Sequence, residues 1–326
     1  MKACRIVTVA ICMLLLVSCT APKIKLFPGR TDPLQEFVVS GEAGEKILVI
    51  DIRGFISGQP KPGLLGTKSS IVEETVAQLR KAEQDERVAA VLLKIDSPGG
   101  TVTASDILYN EIRKFKERTR KKVVVAMMGL AASGGYYIAL PADAIVAHPT
   151  TTTGSIGVIF LRPKVDGLMD KIGVQVEISK SGRNKDMNSP FRESLLEEKR
   201  MMDAQIHELG QRFLGLVKDH RKLPPASLRA ISTGRIFLAA EARQLGLVDR
   251  VGYLEDALSQ ARTLAGLPED ARIIVYRRTE YPDDTLYNTA STATSAGSGK
   301  IVLIDLNLPE LSTGFYYMWP AVFLSH

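Results

Sequence analysis

The chain has 326 residues, 45% of them hydrophobic and 24% charged, which is enough apolar content for one large core or a core with appendages. Its formal charge is +6, or +4 without the two cations Lys2 and Arg5, and no basic block is interleaved with aromatics, so nucleic acid is excluded as the expected partner. The three cysteines (Cys4, Cys12 and Cys19) all precede residue 20, which excludes a disulfide framework, a thiol nucleophile and a Cys-ligated zinc from everything downstream. His148, His207, His220 and His326 show no His-Glu-x-x-His spacing, and neither a metal nor a cofactor is expected.

The N-terminus explains the cysteines. "MKACRIVTVAICMLLLVSC" has a basic start and a 12-residue apolar run from Ile6 to Val17, which suits a signal-peptide core and is short of the ~20 residues a spanning helix needs. The run ends in Leu16-Val17-Ser18-Cys19, which resembles the bacterial lipobox, where a lipidated cysteine becomes the first residue after cleavage. The resemblance implies a catalytic part exported to the bacterial cell envelope and held at the membrane by a lipid on Cys19. Thr20 follows rather than aspartate, so inner-membrane retention is not signalled. Residues 20–45 mix Pro, Gly and polar residues without periodicity and read as a tether.

From Lys46 the pattern is α/β. "KILVIDIRGFI" reads as a strand with a glycine break. "SSIVEETVAQLRKAEQD" carries the capping box Ser70–Glu73 and then Val72, Val76 and Leu79 at helical spacing. "VAAVLLKID" is a second buried strand, "TASDILYNEIRKFKERT" a second amphipathic helix, "VVVAMM" a third strand and "AIVAHP" a fourth. Such alternation predicts a parallel sheet with right-handed crossovers. A long helix is expected from about Phe191 to Arg221, its stripe Leu195, Leu196, Met202, Ile206, Leu209, Phe213 and Leu216 serving core or subunit packing. "AAEARQLG" is a further helix, Thr289 to Gly299 is low-complexity linker, and "KIVLIDLNLPEL" and "FYYMWPAVF" form an apolar end expected to pack on the domain or a neighbour.

Three stretches carry chemistry. In "KIDSPGGTVTASD" a strand runs through Ser97-Pro98-Gly99-Gly100 into a helix, and glycines at that junction let backbone N–H groups face a cleft, to cradle a phosphate or an oxyanion. The Walker pattern is absent, which disfavours nucleotide. In "GLAASGG", Ser133 sits at a helix start after a buried strand, where its hydroxyl is expected to be exposed at the carboxyl edge of the sheet. Ala131, Ala132, Gly134 and Gly135 leave room for a substrate, although a lone Ser-Gly-Gly is also a common helix cap. A serine needs a base. No pattern ties His148 to Ser133, whereas "ISKSGRNKDMNSPFRE" offers Lys180, Arg183 and Lys185, and spacing does not choose among them. A lysine base has to be neutral, which calls for a desolvated site.

Together these stretches resemble the signal peptide peptidase A family, serine peptidases of the Clp-protease/crotonase fold group, over roughly Lys46 to Leu258. The resemblance implies an α/β core of repeated ββα units with a parallel-rich sheet. It implies Ser133 of Ala-Ala-Ser-Gly-Gly-Tyr-Tyr as nucleophile and Lys185 of Ser-Gly-x-x-Lys-Asp as general base. Ser155 of Thr-Gly-Ser-Ile-Gly-Val would orient the lysine, with Gly99, Gly100 and Gly134 as oxyanion-hole residues. It implies peptide substrates, cleaved signal peptides among them, and a homo-oligomeric ring or dome whose serine and lysine meet between protomers. The chain then divides into a lipoprotein-type signal peptide (1–18), a tether (19–45), a peptidase domain (46–270) and a C-terminal extension (271–326). Two rivals remain, a crotonase-type acyl-CoA enzyme and a non-catalytic scaffold of the same fold.

Overall fold

The computed structural model describes residues 32–63, 66–281, 283–289 and 313–320. The Cys19 segment, the tether before residue 32 and the linker from residue 290 lie outside them, as does "KIVLIDLNLPEL". The strands are β1 (Gln35–Ser40), β2 (Lys46–Arg53), β3 (Lys61–Gly63), β4 (Gly66–Lys68), β5 (Val88–Ser97), β6 (Gly99–Thr101), β7 (Lys122–Ala132), β8 (Ala144–Ala147), β9 (Thr152–Gly154), β10 (Ile159–Leu161), β11 (Ile236–Leu238), β12 (Arg250–Val251), β13 (Arg272–Arg277) and β14 (Gly314–Met318). The helices are α1 (Ile71–Gln84), α2 (Val102–Thr119), α3 (Gly134–Tyr137), α4 (Asp166–Ile172), α5 (Leu196–Arg221), α6 (Pro225–Ile231), α7 (Ala239–Gln244) and α8 (Leu254–Ala265). None of these helices is long and apolar enough to cross a membrane.

The main sheet runs β1-β13-β2-β5-β7-β8-β12, with β9 joined to the far end of β7 and β11 to β9. From β13 to β12 every neighbour is parallel, while β1 is antiparallel to β13. Strands β2, β5 and β7 read as near-continuous apolar runs because both of their faces are covered. One face packs Leu48, Ile50, Val91, Leu93, Val123 and Val125 beneath Leu79 of α1 and Leu108, Ile112 and Phe115 of α2. The other packs Val49, Leu92 and Val124 against Leu254, Ala257, Leu258 and Ala261 of α8. Helix α1 begins at the expected cap: Ser70 Oγ accepts the Glu73 N–H, and the Glu73 carboxylate accepts the Ser70 N–H. A fully buried charged pair inside the sheet is Asp51 and Lys94, register partners on β2 and β5 whose side chains are 3.1 Å apart. Burial holds the Lys94 ammonium below its ordinary range, and Thr289 Oγ1 accepts from it at 2.5 Å.

Several expected boundaries move. Gln35–Ser40, assigned to the tether, is an edge strand, and Arg272–Arg277, assigned to the extension, is an interior strand between β1 and β2. The folded part therefore includes both segments. Helix α5 starts at Leu196 rather than Phe191, because the Glu198 carboxylate turns back to accept the Leu195 N–H and closes the first turn there. Of the expected stripe, Met202 and Phe213 are buried, whereas Leu195 and Leu196 are exposed. The aromatic tail packs inward: Tyr316, Tyr317 and Met318 are buried in a second sheet of order β10-β14-β6.

Candidate active site

Strand β7 does more than continue the sheet. Met127 pairs with Ile95, and the next paired residues are Ala131 and Ser97, so β7 spends four residues where β5 spends two. The bulge re-aims the strand end. Asp96 Oδ1 accepts the Leu130 N–H at 3.0 Å, and the last residues of β7 pair with β9, Ala132 lying opposite Gly154. Ser133 follows at φ 51° and ψ −113°, outside the regions L-residues occupy at low cost. Its N–H donates to Gly154 O at 2.8 Å, and the residue immediately after Gly154, Ser155, also has positive φ, 50°. Two strained serines thus flank one hydrogen bond.

Ser133 is 1% exposed, against the expectation of a hydroxyl open at the sheet edge, and its Oγ has no hydrogen-bond partner among the described residues. Gly134 is the first residue of α3, so its N–H has no acceptor within that helix. The Ser-Pro-Gly-Gly turn faces it. Ser97 Oγ donates to Gly54 O at 2.7 Å and accepts the Gly99 N–H at 3.1 Å, which engages the Gly99 amide inside the turn. Gly99 O and the Thr101 N–H both bond to Ile56, so strand alternation points the amide of Gly100 the other way, toward Tyr317, its partner on β14. A Cβ on Gly99 (φ 100°) would fall on Tyr317 O, and one on Gly134 would lie 2.5 Å from Ser105 Oγ and 2.9 Å from Tyr317 O. Glycine is required at both places because backbone passes directly over them.

That backbone is the chain's own tail. Strand β14 is antiparallel to β6 on one side and to β10 on the other, pairing Tyr317 with Gly100 and Phe315 with Phe160. The Tyr317 side chain is fully buried, stacked on Tyr137 with centroids 4.9 Å apart, tilted against Phe213 at 4.9 Å, and donating its hydroxyl to Leu209 O at 3.0 Å. Burial pushes the Tyr317 phenol up to about 12, which keeps it a neutral donor. Beneath it, Tyr137 and Arg212 both donate to Asp106 Oδ1 at 2.6 Å.

The structure brings together Ser133, Gly134, Gly99 and Gly100, with Ser155 just beyond Gly154. Lys185 stands apart on an exposed turn whose N–H donates to Gly182 O at 3.1 Å. Its neighbours are committed elsewhere, Lys180 to Asp186 at 2.6 Å and Arg183 to Glu197 at 2.5 Å, whereas Lys185 has no carboxylate within ion-pair distance among the described residues. His148 bonds Thr150 and lies against Tyr253, away from Ser133. A cavity of about 570 Å³ between the Lys185 turn and the tail is lined by Phe160, Ile178, Met187, Phe191 and Phe315, with Asp186 at its wall. That the tail lies between β6 and β10 is not legible in the sequence. The β-prone alternation of Gly314–Met318 marks a strand but not its partner.

Residues 115–268, which contain Ser133, Ser155 and Lys185, match the model of Peptidase family S49. Residues 65–152, which contain the glycine turn, match that of Clp protease. A protein named signal peptide peptidase SppA from Enterococcus faecium is 34% identical over 253 residues, 78% of this chain and 73% of that protein. The chain belongs to peptidase family S49. Its relatives include Protease 4 of Salmonella typhi, 36% identical over 229 residues, which are 70% of this chain and 36% of that protein. A solved ClpP1 variant from Listeria monocytogenes aligns with 64% of this chain and 94% of its own at 18% identity and a TM-score of 0.41. As an S49 member with a Clp-protease-like α/β fold, the chain is a serine peptidase.

Proposed function

We propose that this serine peptidase is a membrane-tethered Ser–Lys endopeptidase that cleaves short apolar peptides, remnant signal peptides among them. The occupied groove carries the reading. A peptide lying where β14 lies is held by main-chain ladders on both edges, with alternate side chains entering pockets such as the Tyr137–Phe213 slot. Apolar extended peptides suit those aromatic walls.

Chemistry follows from the same placement. The substrate carbonyl at the Tyr317 position faces the amides of Gly100 and Gly134, which stabilise the oxyanion, while Gly99, its amide bound to Ser97, contributes the space its missing side chain leaves. Ser133 Oγ attacks that carbon as Lys185 takes its proton. The lysine then protonates the departing amine, and water hydrolyses the acyl-enzyme by the reverse proton route. Ser155 orients the lysine. Since Lys185 is exposed within one chain and a lysine base requires desolvation, a neighbouring subunit completes the site.

The test uses the tail as a competitor. A chain ending at Ser312 should show a several-fold lower KM for an apolar fluorogenic peptide than the full chain, and added Gly-Phe-Tyr-Tyr-Met should raise it again. Insensitivity of KM to both would remove the groove as the substrate site. Anchoring is tested at Cys19. Mass spectrometry of the mature N-terminus should find a lipidated Cys19, and Cys19→Ser should leave the precursor unprocessed by lipoprotein maturation; an unmodified N-terminus beyond Cys19 in the wild type would mean an ordinary signal peptide.

A further inference from the structure

The segment that carries Lys185 is mostly unsupported. Residues 171–185 are all exposed, and no helix or strand runs from 173 to 195. Such a segment is a poor platform for a base that has to meet a serine within a few tenths of an ångström. Immediately after Lys185, however, the chain is tied down. Asp186, whose side chain is 9% exposed, accepts from Lys180 Nζ on Oδ1 at 2.6 Å and from Arg192 Nε on Oδ2 at 2.8 Å.

Arg192 spends its whole donor set on this corner. One Nη donates to Asp186 O at 3.2 Å and to Glu198 Oε1, and the other to Glu193 O at 2.8 Å and Glu198 Oε2 at 3.0 Å. With Nε on Asp186, all five N–H groups of the guanidinium are used. Glu198 is fully buried and belongs to the first turn of α5, where it also accepts the Leu195 N–H. The chain of contacts therefore runs from the helix through Glu198 and Arg192 to both the carboxylate and the carbonyl of the residue next to Lys185.

Resting on the reading of Lys185 as the base, we propose that Arg192 and Asp186 are positioning residues for the reaction, a clamp that fixes the backbone beneath Lys185 to the start of α5. Neither touches substrate in this arrangement. Arg192 first and Lys180 second hold the Asp186 carboxyl well below the usual carboxylate range, so the clamp stays ionised wherever the enzyme works. The clamp also explains the pairing of the local cations. Lys180 is consumed by it, and among the described residues Lys185 is left without a carboxylate that would hold its proton.

The experiment compares the full-length chain with Asp186→Asn, Arg192→Gln and Lys185→Met on an apolar fluorogenic peptide. Asp186→Asn keeps the Arg192–Glu198 pair and the shape of the turn, so it should fold with an unchanged melting midpoint. Its kcat should fall about 10- to 100-fold while KM stays within about threefold, the signature of a displaced base rather than a damaged groove. Arg192→Gln should lose at least as much kcat, and Arg192→Lys should recover only part of it, because an ammonium cannot reproduce the fork. A wild-type kcat in Asp186→Asn, or a kcat loss accompanied by an equal rise in KM, overturns the clamp. If Lys185→Met is inactive while Asp186→Asn has wild-type kcat, the clamp alone falls. If Lys185→Met itself keeps wild-type kcat, the lysine base falls and the clamp with it.

Discussion

Replacing Ser133 with alanine is expected to lower kcat/KM on an apolar peptide by about 10⁴-fold or more, the scale on which serine peptidases depend on their nucleophile. The protein should remain folded. Sequence reasoning treats Ser133 as a helix cap, whose loss costs ~1 kcal/mol. In the structure no side-chain cap bond exists: the hydroxyl is buried without a partner among the described residues. A buried unsatisfied hydroxyl costs ~1–3 kcal/mol, so alanine, which accepts the same strained backbone as serine, should be neutral or slightly stabilising. Activity and stability therefore move in opposite directions, as expected where strain and an orphaned polar group are kept for function. Thermal unfolding of the variant beside a peptide-hydrolysis assay checks both halves. Turnover equal to wild type would remove the proposed nucleophile, and a melting point lowered by many degrees would remove the claim that the serine is stabilised by nothing.

The fold was legible because its rules are local. Short apolar runs rich in β-branched residues, such as Val88–Ile95 and Val123–Met128, read as strands buried on both faces, and Ser70 with Glu73 marks a helix start by a local pattern. The junction at Ser133 was legible for the same reason: small residues flanking a serine between strand and helix are costly to explain otherwise. What escaped was non-local. Nothing in Gln35–Ser40 or Arg272–Arg277 announces that they pair with each other across most of the chain. Nothing in Gly314–Met318 announces that it lies between β6 and β10 and buries Ser133's surroundings. The choice among Lys180, Arg183 and Lys185 was not legible in spacing and rests on the family resemblance; the structure adds that the first two are ion-paired, to Asp186 and Glu197. The glycine turn was legible in the sequence, but not that Ser97 Oγ takes the Gly99 amide, which leaves the amides of Gly100 and Gly134 for the proposed oxyanion role.

Co-expressed Ser133→Ala and Lys185→Ala chains, each inactive alone, are expected to regain activity together. Among the described residues, Ser133 is buried beside its glycine amides with no base bonded to it, and Lys185 is exposed on a turn. In the segments on either side of that turn Leu168, Ile172, Val174, Val176, Ile178, Phe191, Leu195 and Leu196 are all exposed, apolar side chains that a second copy could cover. Burying that surface against a second copy would take Lys185 out of water, which favours its neutral form. A closed ring in which each serine meets the next subunit's lysine gives every subunit the same environment. In a random mixture of the two variants, about one site in four would pair an intact serine with an intact lysine, so about a quarter of wild-type activity should return. If serine and lysine act within one chain, every subunit in the mixture is defective and the rate stays at that of the single variants. Size-exclusion chromatography run in parallel separates that result from a failure to assemble: mixed oligomers of wild-type size without activity would sink the shared site, leaving each Ser133 to be served by the lysine of its own chain.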